Sequence, residues 1–241
     1  MANILTKGID VSKHNGVIDW PLLKKFTDFA IIRAGYGRLA SQKDIKFEDN
    51  YQGCKANNIP CGAYWYSYAT SVEEIQTEAK IFFEAIKGKK FEYPVYLDIE
   101  EKSQANLPST TINAMIKAFC QILEDNGYFV GVYSYDSFFS KVSNDIQNRY
   151  SLWVANTSRT PQTAKAYAIH QHSFKGNISG VKGDVDLNNC YVDFPTIIKN
   201  GGFNGYSKVD TSNYHYDVTN DGKVDNQDLQ ALQDYLKVDG S

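Results

Sequence analysis

Apolar positions along this 241-residue chain follow two alternating rhythms: short runs dense in β-branched and aromatic residues, and longer stretches with apolar residues three and four apart. The runs at 7–12, 29–34, 60–68, 93–100 and 128–133 predict strands, and weaker runs at 152–155, 166–171 and 184–187 predict three more. Between them the spacing predicts a short helix at 19–26, capped by Asp19 with Pro21 in its first turn, and another near 47–57. A helix at 71–87 carries Ser71 as its cap and Glu74 as the capping-box partner, and a long helix at 109–126 ends at Gly127. Strands alternating with helices predict an α/β fold with a parallel sheet. Eight strands predict an irregular (β/α) barrel of the TIM type, regular in its first half and degraded in its second, where the intervening helices weaken or vanish. An open doubly wound sheet is the alternative, weakened because no Gly-rich phosphate loop follows the first strand.

One strand carries chemistry. In Tyr93-Pro94-Val95-Tyr96-Leu97-Asp98-Ile99-Glu100, period-two alternation sets Asp98 and Glu100 on one face with Tyr96, and Val95, Leu97 and Ile99 on the other. Two strand residues span roughly 6.6 Å, the range in which paired carboxyls hydrolyse glycosidic bonds, although such a spacing does not separate retaining from inverting geometry. Two like charges closing an apolar strand are either the polar start of a loop or a working pair. In a barrel, functional groups gather at the C-terminal strand ends. Collected there are Asp10, Tyr64, Tyr66, Asp98, Glu100, Tyr133, Trp153, Gln171 and Asp186. Each alone has a plain explanation, as a turn former, a packed ring or a loop charge. Together they describe an acidic cleft walled by aromatics, suited to a neutral polysaccharide.

Composition narrows the class. A hydrophobic fraction of 42% supports a substantial core, and a net charge of -3 without a basic block excludes a nucleic-acid partner. No stretch approaches the roughly 20 apolar residues of a membrane span, so no membrane role is expected. The first seven residues lack the apolar core of a secretory leader, so the expected extracellular, wall-associated location requires either a removed leader or another exit, such as release of a phage endolysin through a holin. Cys54, Cys61, Cys120 and Cys190 lack metal-ligand spacing and are expected as buried free thiols.

Several short pieces together resemble glycoside hydrolase family 25, the Chalaropsis-type lysozymes found as phage endolysins and bacterial autolysins. They are Asp10-Val11-Ser12 with Asn15-Gly16, Gly62-Ala63-Tyr64, Leu97-Asp98-Ile99-Glu100, Gly131-Val132-Tyr133, Leu152-Trp153-Val154-Ala155-Asn156 and Val185-Asp186-Leu187-Asn188, over residues 5–198. The resemblance implies a catalytic barrel at 1–198 that cleaves the β-1,4 bond from N-acetylmuramic acid to N-acetylglucosamine in bacterial peptidoglycan, with retention. It implies Glu100 as general acid and Asp98 as its partner, holding the oxocarbenium charge or the substrate's acetamido group. Asp10 and Asp186 would shape the electrostatics, and Tyr64, Tyr66, Tyr133, Trp153 and Gln171 would meet the sugar. Whether Asp98 attacks covalently or the acetamido oxygen does stays open. A wall-binding module without catalysis and a chitinase-like hydrolase are the competing readings; the intact Glu100 disfavours the former. His14 and the sequence Ile169-His170-Gln171-His172 depart from common family patterns, and no role is assigned to these histidines.

The C-terminal stretch reads separately. Residues 199–207, with Asn200-Gly201-Gly202 and Asn204-Gly205, are expected as a linker to a segment at 208–241. Residues 217–228 have the pattern of a twelve-residue EF-hand calcium loop. Asp217, Thr219, Asp221, Asp225 and Asp228 supply side-chain oxygens, Lys223 a carbonyl, and Gly222 the turn, before the helically spaced Leu229, Leu232, Tyr235 and Leu236. Asp at the last position resembles dockerin modules, which implies structural Ca2+ and a cohesin-like partner. Only one repeat is complete, so pairing of two chains into a homodimer is the other expectation; catalysis itself is expected to need no cofactor.

Overall fold

Successive strand residues point to opposite layers, and that alternation builds the molecule. The computed structural model describes residues 3–164 and 166–208. Its eight strands are β1 (Thr6–Val11), β2 (Phe29–Tyr36), β3 (Cys61–Tyr66), β4 (Val95–Asp98), β5 (Val130–Tyr135), β6 (Ser151–Ala155), β7 (Ile169–Gly176) and β8 (Val185–Cys190). They close in sequence order into a barrel. Ile9, Val11, Ile32, Ala63, Trp65, Val95, Leu97, Val132 and Val154 face outward into the main core, beneath the helices. Alternating with them, Phe29, Ile31, Tyr96, Tyr133, Trp153 and Ile169 fill the barrel interior.

The helices are α1 (Trp20–Leu23), α2 (Phe47–Ala56), α3 (Val72–Ile86), α4 (Lys102–Ala105), α5 (Ser109–Asp125), α6 (Asn144–Arg149) and α7 (Phe194–Gly201). The two longest, α3 and α5, turn Ile75, Phe82, Ile112, Met115 and Phe119 into the outer core. The Ser71 hydroxyl caps α3 by accepting from Glu74 N–H, but the Glu74 carboxylate accepts from Thr70 N–H (2.7 Å) rather than closing the reciprocal box on Ser71. Gly127 follows α5 with φ +80°, a left-handed stop that favours glycine.

Six neighbouring pairs, β1–β2 through β6–β7, are parallel, while β8 runs antiparallel to both β7 and β1. The expected wholly parallel sheet therefore fails at its last strand. A parallel return needs a crossover of about a dozen residues or more, and the connection from Gly176 to Val185 is too short for one. This reversal decides where Asp186 lies. It is the second residue of β8, and it reaches the barrel mouth because β8 starts there, pairing with Asp10 near the end of β1.

The interior is crowded with rings, and small residues make room. A side chain added at Gly131 would put its Cβ 2.2 Å from the Tyr96 ring. Residues 199–207, expected as a linker, pack onto the barrel's base. Fully buried Asn204 donates to the Tyr93 carbonyl (2.9 Å) and accepts from Phe129 N–H (2.8 Å). The calcium loop at 217–228 and its ligands lie outside the described residues. All four cysteines are buried free thiols, as expected. No described helix is long and apolar enough to cross a membrane.

Candidate active site

The barrel mouth gathers the predicted carboxylates. Asp10 is the last residue but one of β1, Asp98 ends β4, Asp186 is the second residue of β8, and Glu100 lies two residues beyond β4. The predicted strand 93–100 is shorter in the structure, yet its pairing continues past Asp98. Ile99 N–H donates to the Tyr133 carbonyl (3.1 Å), and the Ile99 carbonyl accepts from the Ser134 hydroxyl (2.6 Å). That pins the backbone, and Glu100 keeps the strand's alternation.

Asp10 is held from below. One of its oxygens accepts from both Gln171 Nε2 and Asn188 Nδ2, each at 2.8 Å. Gln171 Oε1 accepts from the Tyr133 hydroxyl (2.7 Å), and Asn188 Oδ1 accepts from Trp153 Nε1 (2.8 Å). Tyr133 and Trp153 pack with ring centroids 4.4 Å apart, and Tyr64 and Tyr96 meet the indole edge-on. This amide-and-ring floor fixes the acid cluster's position.

The placement changes the part expected of three residues. Trp153 is 1% exposed, and Tyr133 and Gln171 are also buried, so they form the floor rather than a wall for sugar. Tyr64 and Tyr66 are half-buried at the mouth, and the Tyr66 hydroxyl donates to Glu101 (2.8 Å). The sequence motif Val185-Asp186-Leu187-Asn188 left Asn188 without a role, although Asp186 and Asn188 have the same two-residue spacing that singled out Asp98 and Glu100. Sequence reasoning also passed over Glu101, and the exposed rim rings of Tyr68, Tyr135 and Phe174. Tyr135 meets Phe174 edge-on at 6.2 Å, and Tyr68 lies 5.1 Å from Tyr66. Exposed rings beside a polar cleft are the available platforms for sugar faces.

Crowded, buried like charges resist ionisation. Burial first, then the charges of Glu101 and Asp186, push Glu100 up to about 7, while the Tyr133 hydroxyl acts the other way. Asp98 is raised well above the usual carboxylate range by burial, then by Glu100 and Asp10; the Arg33 guanidinium opposes this. Burial and Asp186 raise Asp10, against the Asn188 and Gln171 donors, and burial raises Asp186. Glu100 Oε2 and Asp98 Oδ1 are buried with no hydrogen-bond partner in the protein. The cluster thus sets one carboxyl raised to about 7, Glu100, at the same opening as three others whose ionisation burial also disfavours.

Comparison with known proteins gives the class. The family model described as Glycosyl hydrolases family 25 matches residues 9–181, and the chain belongs to that family. It is 29% identical over 196 residues to the uncharacterized protein YegX of Escherichia coli K12, covering 78% of this chain and 70% of that one. It is 27% identical over 183 residues to the autolytic lysozyme of Clostridium acetobutylicum, covering 75% of this chain and 54% of that protein. Among solved structures it resembles the modular autolysin LytC of Streptococcus pneumoniae in complex with a synthetic peptidoglycan ligand, with TM-score 0.68 and 28% identity over 77% of this chain. The match spans 46% of LytC, so the two share a domain and not a whole architecture.

Proposed function

We propose that this glycosidase is a peptidoglycan hydrolase, an N-acetylmuramidase that opens the β-1,4 bond from N-acetylmuramic acid to N-acetylglucosamine. The observation that carries it is Glu100: a carboxyl pushed up to about 7, with a buried, unpartnered oxygen, two residues from Asp98, whose Oδ1 is likewise buried and unpartnered. A group of that kind is still protonated near neutral pH and transfers its proton to the departing glycosidic oxygen. Asp98 stabilises the positive charge that develops at the sugar, directly or through the acetamido group, with retention of configuration. Asp186 helps keep the proton on Glu100, and the negative charge that Asp10 and Asp186 share at the mouth favours a cationic transition state. Family membership and the lysozyme and autolysin relatives support the substrate, which places the work at a bacterial cell wall.

The test is the sugar at the new reducing end. Purified peptidoglycan is digested, reduced with borohydride and hydrolysed for sugar analysis. Muramitol from the wild type, absent with Glu100→Gln, supports the reading. Glucosaminitol, or no new reducing end, overturns it.

We read the fold as a (β/α) barrel whose β6–β7 and β7–β8 connections have no helix among the described residues. At the C-terminus, the oxygen donors of Asp217, Thr219, Asp221, Asp225 and Asp228, with the Lys223 carbonyl, form a chemically consistent set for Ca2+. Calcium there would order a segment too small to bury a core alone. Dimer formation through that segment is tested by sedimentation of the full chain with calcium and with chelator: a monomer in both rejects it.

A further inference from the structure

Next to the acid cluster lies a notch of about 310 Å³, lined by Lys13, His14, Arg33, Tyr36, Tyr66 and Tyr68. It stands out in charge, because the mouth beside it carries Asp10, Asp98, Glu100, Glu101 and Asp186. Arg33 extends from β2, two residues past Ile31 on the interior face. Its Nε donates to Asp44 Oδ2 (2.7 Å), and Asp44 is otherwise occupied by the backbone N–H groups of Lys13 (3.1 Å) and Lys46 (2.8 Å). Arg33 Nη2 is buried and has no hydrogen-bond partner. Lys13 Nζ stands 5.6 Å above the Tyr36 ring, with the Arg33 guanidinium 5.9 Å from the same centroid. Lys13 makes no ion pair among the described residues.

An unused guanidinium edge and an unpaired ammonium facing one space are the elements of an anion site. Asp44 takes the Nε side of the fork, which leaves the Nη side for an incoming group. The volume is at the small end of ligand pockets, so it admits a charged branch of a few atoms and not a stretch of saccharide. If the mouth binds peptidoglycan, its glycan chain is neutral and its acidic groups are carboxylates on branches: the lactyl ether of muramic acid where no peptide is attached, and the stem peptide where one is. We infer that the Lys13–Arg33 notch binds a branch carboxylate of the substrate and thereby selects muramic acid-containing chains over plain N-acetylglucosamine polymers. The inference rests on the muramidase reading and deepens it. Cations at this spot also offset the repulsion that an acidic mouth exerts on an anionic substrate.

Arg33 is tied into the fold through Asp44, so its replacement risks misfolding, and the rim residue Lys13 carries the test. Four soluble substrates are compared in two pairs: peptide-free glycan strands with free lactyl carboxylates and the same strands with those carboxyls reduced to alcohols, and peptide-bearing strands without and with reduction. For each pair, the ratio of kcat/KM on the carboxylate form to that on the reduced form is measured for wild type and Lys13→Ala. A ratio of about ten in the wild type, the scale of one hydrogen bond to a charged group, that falls toward one in Lys13→Ala is expected. The fall is expected in KM rather than kcat. A fall with peptide-free strands assigns the lactyl group, and one confined to peptide-bearing strands assigns the stem peptide. Equal ratios in both proteins on every pair overturn the inference while leaving the muramidase intact. If the wild type cleaves none of these strands, the muramidase reading itself falls, which is a different result.

Discussion

Glu100, the proposed general acid, holds its proton more tightly than an ordinary carboxyl does. Its folded-state pKa of about 7 lies above the ordinary 4.5, chiefly because burial penalises the charge. As pH rises through about 7 that proton leaves, so turnover should fall along an alkaline limb centred there; a profile flat from pH 6 to 9 would count against Glu100 as the acid. Glu101 is the second contributor to the raised value, after burial. Glu101→Gln should therefore move the limb toward lower pH, read in the pH dependence of kcat. The same shift has a cost in stability with a definite sign. Between pH 4.5 and about 7 the folded protein keeps a proton that the unfolded chain has released, so stability declines across that window as pH rises. Glu100→Gln removes the strain. It should melt at higher temperature than wild type at pH 8, by about 2 kcal/mol of stability, and show no such gain at pH 4. Its turnover should drop by roughly 10²–10⁴-fold, the usual cost of a lost general acid, while pelleting with wall fragments persists.

At the scale of elements, the last strand is the unusual one. β8 reverses direction, and the reversal brings both Asp186 and Asn188 to the mouth side of the barrel. Asn188 links β8 to β1 through Asp10 and to β6 through Trp153, so one amide ties three strands. Asn188→Leu leaves a buried indole N–H and a carboxylate without that partner and should cost about 2–4 kcal/mol, seen as a lowered denaturation midpoint. An unchanged midpoint would mean the floor is not held as described. The shape of the neighbouring strand matters in the same way: β5 can lie beside β4 only because Gly131 leaves space for the Tyr96 ring.

For the whole molecule, the compact unit extends through Lys208. Asn204 satisfies the backbone of two segments at the base of the barrel, at Tyr93 and Phe129. Asn204→Ala should destabilise the catalytic unit by roughly 2–3 kcal/mol, because two buried backbone groups lose their partners. Thermal melting checks this, and a loss within about 0.5 kcal/mol, the range of ordinary surface changes, would restore the linker expectation for 199–207.

Much of this protein was fixed by local pattern. Strand and helix periodicities gave eight strands and their order, because alternation and capping act over a few residues. The pair Asp98 and Glu100 was legible because period-two spacing sets two carboxyls on one face whatever the rest of the chain does. The gathering of Asp10 and Asp186 with them was legible only once a barrel was assumed. What the sequence did not state was the direction of β8, which depends on the length of a connection rather than on any strand residue. Nor did it separate Trp153, Tyr133 and Gln171, which lie under the acids, from the rim rings of Tyr68, Tyr135 and Phe174. Burial is a property of the closed barrel and not of residue type, so an aromatic at a strand end reads alike as floor or as wall. The raised pKa of Glu100 has the same origin: Glu101 is its neighbour in the chain, but the burial that dominates the shift and the approach of Asp186 exist only once the barrel closes.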